Sequence, residues 1–144
     1  MINILQQINN ITSGSAIIVG GVSKWLNGYT DTYDKKWIDV TIPSSSIEQI
    51  KSLGRYIELP SGTTFPPPTL DQFIVKVVPE GVSNRDGWVL DVFVEDVRPD
   101  YTAISGSNVI TPQADLDWHI ALSGSLPNET THQKVVDRKE LYKL

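Results

Sequence analysis

Between Ser15 and Ile42 the chain reads SAIIVGGVSKWLNGYTDTYDKKWIDVTI. A short β-branched run is followed by two glycines, a segment with helical spacing, a polar loop and a second apolar run. No other stretch constrains the fold as much. Ser15–Val19 predicts a buried strand, and Gly20–Gly21 turns the chain. Val22–Asn27 makes about two helical turns, with Gly28 as the residue that ends them. Tyr29–Lys35 is a polar loop, and Trp37–Ile42 is a second strand stopped by Pro43. The order predicts an α/β (α+β) domain.

The flanking sequence fills in the layers. Ile4, Leu5, Ile8 and Ile11 recur at near-helical spacing, which predicts an amphipathic helix over 2–12 that Gly14 ends. Ser45 and Glu48 form a capping-box pattern ahead of a helix over 46–53 stopped by Gly54. Arg55–Leu59 is a short strand, and PSGTTFPPPT is a loop stiffened toward polyproline II. FIVKVV and GWVLDVFVEDV flank PEGVSNRDG and predict an antiparallel hairpin with a long loop. The expected core is a small mixed sheet with strands near 15–19, 37–42, 73–78 and 88–95, covered on one face by helices 2–12, 22–27 and 46–53.

After Arg98 the signals conflict. A short strand is expected near Asn108–Ile110. Thr111 and Pro112 have the chemistry of a helix start, N-cap followed by proline at N1. LDWHIAL, Leu116–Leu122, alternates apolar and polar residues, and that full alternation favours a strand. The last dozen residues suit a helix or an extended arm. Residues 1–97 are therefore expected to form the α/β domain and 98–144 a β-rich extension.

Composition narrows the partners. The 144 residues suffice for one core, and 40% hydrophobic against 20% charged residues marks a globular chain rather than a disordered one. The formal net charge of −5 argues against free nucleic acid, which demands a positive footprint. Charge is uneven: His132–Leu144 carries Lys134, Arg138, Lys139 and Lys143 against Asp137 and Glu140, a net +2, and the other 131 residues carry −7. This basic arm suits an acidic docking surface or simple solvation. With no cysteine, disulfides, thiolate metal sites and cysteine nucleophiles are excluded. The start of the chain lacks a signal-peptide pattern, and no apolar run approaches the roughly 20 residues of a membrane-spanning helix. A cytoplasmic or virion location, with no membrane partner, is expected.

The order strand, Gly-Gly, helix, loop, strand with an h-D-h core, then a hairpin carrying LDVFV resembles the nucleotidyltransferase superfold of CCA-adding enzymes and antibiotic nucleotidyltransferases. The resemblance spans about residues 14–96. Val19-Gly20-Gly21 matches the glycine turn, Leu26 and Gly28 match the LLG segment, and Asp39 with Val40, Thr41 and Ile42 matches the second half of the Asp-h-Asp pair. Asp91 matches the third carboxylate. The resemblance implies that Gly20 and Gly21 approach phosphates and that the carboxylates hold divalent cations, which activate the attacking oxygen and neutralise the leaving pyrophosphate.

One departure dominates. The first carboxylate of the pair is Trp37, which shares a strand face with Asp39. An indole supplies no ligand oxygen and takes up room that a hydrated Mg²⁺ would need, so the pair is degenerate and Asp39 and Asp91 do not make a two-metal site. Asp34 lies five residues before Asp39 and does not replace Trp37. The Arg and Asp that follow the glycines in CCA-adding enzymes are absent; Ser23 and Lys24 follow here. Asp91 sits on a face otherwise apolar, as an edge-exposed residue or as the partner of Lys76 on the neighbouring strand.

Asp115, Asp117 and His119 fall on one face of the expected strand, as a metal site or as a wet strand face. His132 has no acid or serine pattern near it. No nucleophile elbow and no Walker A pattern occur. The expected function is a non-catalytic structural or interaction protein on a nucleotidyltransferase-like fold, a pseudoenzyme such as a phage head-tail connector component. It would have no cofactor and a protein partner in a larger assembly. The alternatives are a Mg²⁺-dependent nucleotidyltransferase, with Gly20 and Gly21 on the triphosphate and Asp39 and Asp91 on metal, or a nucleotide-binding antitoxin or regulator.

Overall fold

The computed structural model describes residues 2–33, 36–57, 71–78 and 87–144. The proline-rich loop, most of the hairpin loop and Asp34 lie outside them. The chain opens with α1 (Ile2–Ile11), whose Ile4, Leu5 and Ile8 are buried at helical spacing. Ser13 and Gly14 follow with positive φ and end it. β1 (Ile17–Val19) runs into α2 (Gly20–Leu26). Gly28, with φ +82°, closes α2 by donating to the Trp25 carbonyl at 3.0 Å. β2 (Trp37–Ile42) alternates cleanly, with Ile38, Val40 and Ile42 fully buried.

A 3-10 turn, Ser44–Ser46, leads into α3 (Ile47–Lys51). The Ser45–Glu48 capping box does not form: α3 begins after Ser46 with no side-chain cap. The turn is instead held from outside, where the Asp96 carboxylate accepts from the Ser44 amide at 2.7 Å and from its hydroxyl at 2.9 Å. β3 (Arg55–Ile57), β4 (Asp71–Val77) and β5 (Trp88–Val94) follow, and β4 and β5 are the expected antiparallel pair.

Among the described residues seven strands form one mixed sheet, once β6 (Tyr101–Ile104) and β7 (Ser107–Ile110) are added, in the order β3-β4-β5-β2-β1-β7-β6. β2 runs parallel to β5 and antiparallel to β1, and β1 runs parallel to β7. One sheet face, with Ile38, Val40, Val75, Leu90 and Val92, packs against α1, α3 and Val22 of α2 to make the core.

Two elements correct the sequence expectation. β6 was not foreseen. Leu116–Leu122 is not a strand but the middle of α4 (Pro112–Ser125), and the basic arm is α5 (Glu129–Tyr142). Thr111 caps α4, accepting from the Ala114 amide at 3.2 Å with Pro112 at the first position, so the helix-start signal outweighed the alternation. The residue types alternate by coincidence. Ile120 is 44% exposed, while Asp115, Leu116, His119 and Leu122 are buried at helical spacing. The segment after Arg98 thus extends the sheet by two strands and then lays two helices over its second face. Among the described residues no helix is long and apolar enough to cross a membrane.

Candidate functional site

Strand register assembles the site. Asp39 of β2 lies directly opposite Asp91 of the parallel β5, and opposite Val19 of β1. Because Ile38, Val40, Leu90 and Val92 face the core, both carboxylates rise from the other face. Gly20 follows Val19 at φ +65°, a backbone that L side chains rarely adopt, and a Cβ there would overlap the Asp39 carboxylate. The first glycine is therefore required twice, by backbone angle and by close approach of Asp39. Gly21 meets neither condition: space around it is open, and it stands exposed outside the cleft.

Asp91 accepts a hydrogen bond from the Gln72 side chain of β4. Gln72 and Lys76 flank Ile74, which lies directly opposite Asp91, and it is Gln72 rather than the Lys76 the sequence suggested that bonds the carboxylate. Burial pushes the Asp91 carboxyl above its ordinary value, and the Gln72 bond opposes that only in part. Trp37, 43% exposed, lies outside the lining of the cleft that holds Asp39 and Asp91.

α4 and α5 roof this face and leave a cleft of about 380 Å³. Its floor includes Gly20, Asp39 and Asp91, and its roof brings His119, Lys134 and Arg138. The roof is joined through one buried carboxylate. Asp115 accepts from Arg138 Nε at 3.0 Å and from the Tyr142 hydroxyl at 2.5 Å. Burial works to raise the Asp115 carboxyl, but the His119 ring, Arg138 and Tyr142 together hold it below its ordinary value. Burial and the Asp115 carboxylate push the Tyr142 phenol far upward. On α2, burial and the nearby Arg138 lower the Lys24 ammonium.

His119 Nδ1 lies 2.8 Å from the Asp115 carbonyl oxygen and 3.3 Å from its carboxylate. A carbonyl only accepts, so Nδ1 carries a proton toward Asp115. The expected Asp115, Asp117 and His119 face breaks up on the helix. Asp115 and His119 meet at i, i+4, while Asp117 is exposed and accepts from Gln113 at 3.0 Å. His132 is exposed on α5. Among the described residues no group of three or more His, Asp or Glu side chains is arranged to hold a metal ion. Asp39 and Asp91 nonetheless suit one Mg²⁺, an ion usually bound through one or two carboxylates together with substrate phosphates.

Of the residues the sequence singles out, the structure brings Gly20, Asp39 and Asp91 to one cleft and leaves Gly21 outside it. Sequence reasoning missed Gln72, Arg138 and Tyr142, whose roles exist only once β4 and α5 reach the cleft. The helix start at Asn128, whose side chain accepts from the Thr131 amide at 2.9 Å, is the local sign that the arm is a helix.

A mixed sheet with a glycine turn at the end of β1 and paired carboxylates on β2 and β5 is a nucleotidyltransferase-like fold. Two solved structures share it. JHP933 from Helicobacter pylori aligns with a TM-score of 0.57 and 14% identity, over 97% of this chain and 63% of that one. The aminoglycoside nucleotidyltransferase ANT(2'')-Ia, an antibiotic-resistance factor, aligns with a TM-score of 0.53 and 14% identity, over 96% of this chain and 82% of that one. The chain thus spans less than two thirds of JHP933, and at such identity the likeness is one of fold. No family model and no curated protein matches the sequence.

Proposed function

We propose that the chain binds a nucleoside triphosphate together with one divalent cation in the cleft, and that it does not perform two-metal nucleotidyl transfer. The supporting observation is the pairing of Asp39 with Asp91 beneath a roof that carries Lys134 and Arg138. Negative and positive side chains line one cleft, as a cation–polyphosphate pair requires. Asp39 and Asp91 would hold the cation, which neutralises phosphate charge when bound. Lys134 brings positive charge to the roof beside the Arg138–Asp115 ion pair, and Gly20 keeps the floor low beside Asp39. Trp37 contributes no third carboxylate, which leaves the two-ion set short.

Calorimetry with Mg²⁺ and each of the four nucleoside triphosphates tests this. Micromolar to low millimolar binding is expected, weakened at least tenfold by Asp39→Asn. Absence of heat at millimolar nucleotide, or full affinity in Asp39→Asn, overturns it.

A second reading, transfer, is favoured by one observation. His119 lines the cleft with Nδ1 committed to the Asp115 carbonyl oxygen, which leaves Nε2 as the ring nitrogen for proton transfer. Steady pyrophosphate release that His119→Gln abolishes would replace the binding reading with this one.

A further inference from the structure

One end of the same cleft has a different chemistry. Among the described residues, side-chain atoms buried without a hydrogen-bond partner are Thr41 Oγ1, Glu95 Oε2 and Ser107 Oγ. The first two line the cleft. Thr41, only 3% exposed, lies opposite Phe93 in the β2–β5 ladder. Glu95 is two residues past Phe93, and its amide donates to the Ile42 carbonyl at 2.8 Å. Above them Trp118 of α4 meets Phe93 edge to face, with centroids 6.2 Å apart. Two aromatic rings and two unsatisfied polar atoms therefore share one small volume, set apart along the strands from the Asp39–Asp91 pair.

Unpaired polar atoms are costly to bury, and a carboxylate oxygen most of all. Burial pushes the Glu95 carboxyl above its ordinary value, against the pull of Arg98. Such a cost is offset when a ligand supplies the missing partners. Apolar ring faces select a flat aromatic ligand. An ionised carboxylate only accepts, so it selects an edge that presents donors.

Resting on the nucleotide-binding reading above, we infer that Thr41, Phe93, Glu95 and Trp118 form a base pocket that selects guanine. Guanine presents N1–H and its 2-amino group side by side, two donors for one carboxylate. Adenine and cytosine each set one amino group beside a ring-nitrogen acceptor, and uracil flanks its single N–H with two carbonyls. Those acceptors would face Glu95 and repel it. The Thr41 hydroxyl is free to donate to a ring or carbonyl acceptor of the base.

Competition calorimetry with Mg²⁺ and GTP, ATP, CTP or UTP, with guanosine and inorganic tripolyphosphate as separate probes, tests the pocket. GTP should bind about tenfold or more tighter than the other three, the order expected of a paired carboxylate contact. Glu95→Gln should bring GTP down to the level of ATP. Thr41→Val should weaken guanosine but not tripolyphosphate, with the thermal midpoint confirming that both variants fold. Equal affinity for the four nucleotides, or a GTP preference that survives Glu95→Gln, overturns the guanine pocket and leaves the nucleotide reading standing. If neither the nucleotides nor tripolyphosphate bind, the nucleotide reading falls and the pocket falls with it.

Discussion

Gly20 and Asp39 interlock: the carboxylate lies over a bare α-carbon at φ +65°. Gly20→Ala must strain the backbone, at about 1–2 kcal/mol, and displace Asp39 as well. We expect a urea midpoint lowered by about 2 kcal/mol or more in equivalent stability, while Gly21→Ala, in open space, stays near wild type. Equal effects at the two glycines would refute the interlock. Asp91 offers a pH test. Its folded pKa is raised above the ordinary 3.8, so between the two values the folded state binds more protons than the unfolded one. Stability therefore falls as pH rises through the folded value. Asp91→Asn, free of that penalty, should melt higher than wild type at pH 7, with the gain vanishing as pH drops below 3.8. A gain as large at pH 3 as at pH 7 would point to packing instead of ionisation.

At the scale of elements, α4 and α5 act as one unit because Asp115 bonds across them. With the Arg138 and Asp115 side chains 8% and 3% exposed, removing the acid strands a buried guanidinium. Asp115→Ala should cost about 3–5 kcal/mol. It should also raise amide exchange in α5 more than in the core strands, since α5 contributes no residue to the hydrophobic core on the other sheet face. Uniform protection loss across the sheet would show that the roof is not a separate unit. The same network explains why α4 was misread. Its buried stripe carries Asp115 and His119, polar residues that read as the wet side of a strand until Arg138 and Tyr142 are known to meet them. At α3, Ser45 and Glu48 have capping chemistry, but Ser45 is taken into a 3-10 turn that Asp96, over fifty positions later in the chain, anchors through Ser44, and the helix begins only after Ser46.

Across the whole molecule, Arg98 joins strands that sequence leaves far apart. It donates to the carbonyls of Ser15 at 2.5 Å, Thr41 at 3.1 Å and Glu95 at 2.8 Å. Arg98→Ala leaves three carbonyls short of a donor at the ends of β1, β2 and β5, and should cost about 2–3 kcal/mol in thermal or urea unfolding. Arg98→Lys should recover less than half, because a single ammonium lacks the planar fork. Full recovery with lysine would mean that charge alone matters at this position.

Legible in the residues alone are the local elements from Ser15 to Ile42, the β4–β5 hairpin, and the alternation that sends Asp39 and Asp91 away from the core. Those features follow from periodicity, glycine and proline, which act within a few residues. Tertiary structure makes Asp39 and Asp91 neighbours, because parallel pairing of β2 with β5 brings together residues more than fifty positions apart. It also decided that Leu116–Leu122 is helical, and that a basic arm closes a cleft over the carboxylates. Register and roof depend on hydrogen bonds and buried charges between distant segments, whose free energy appears only when both partners are in place.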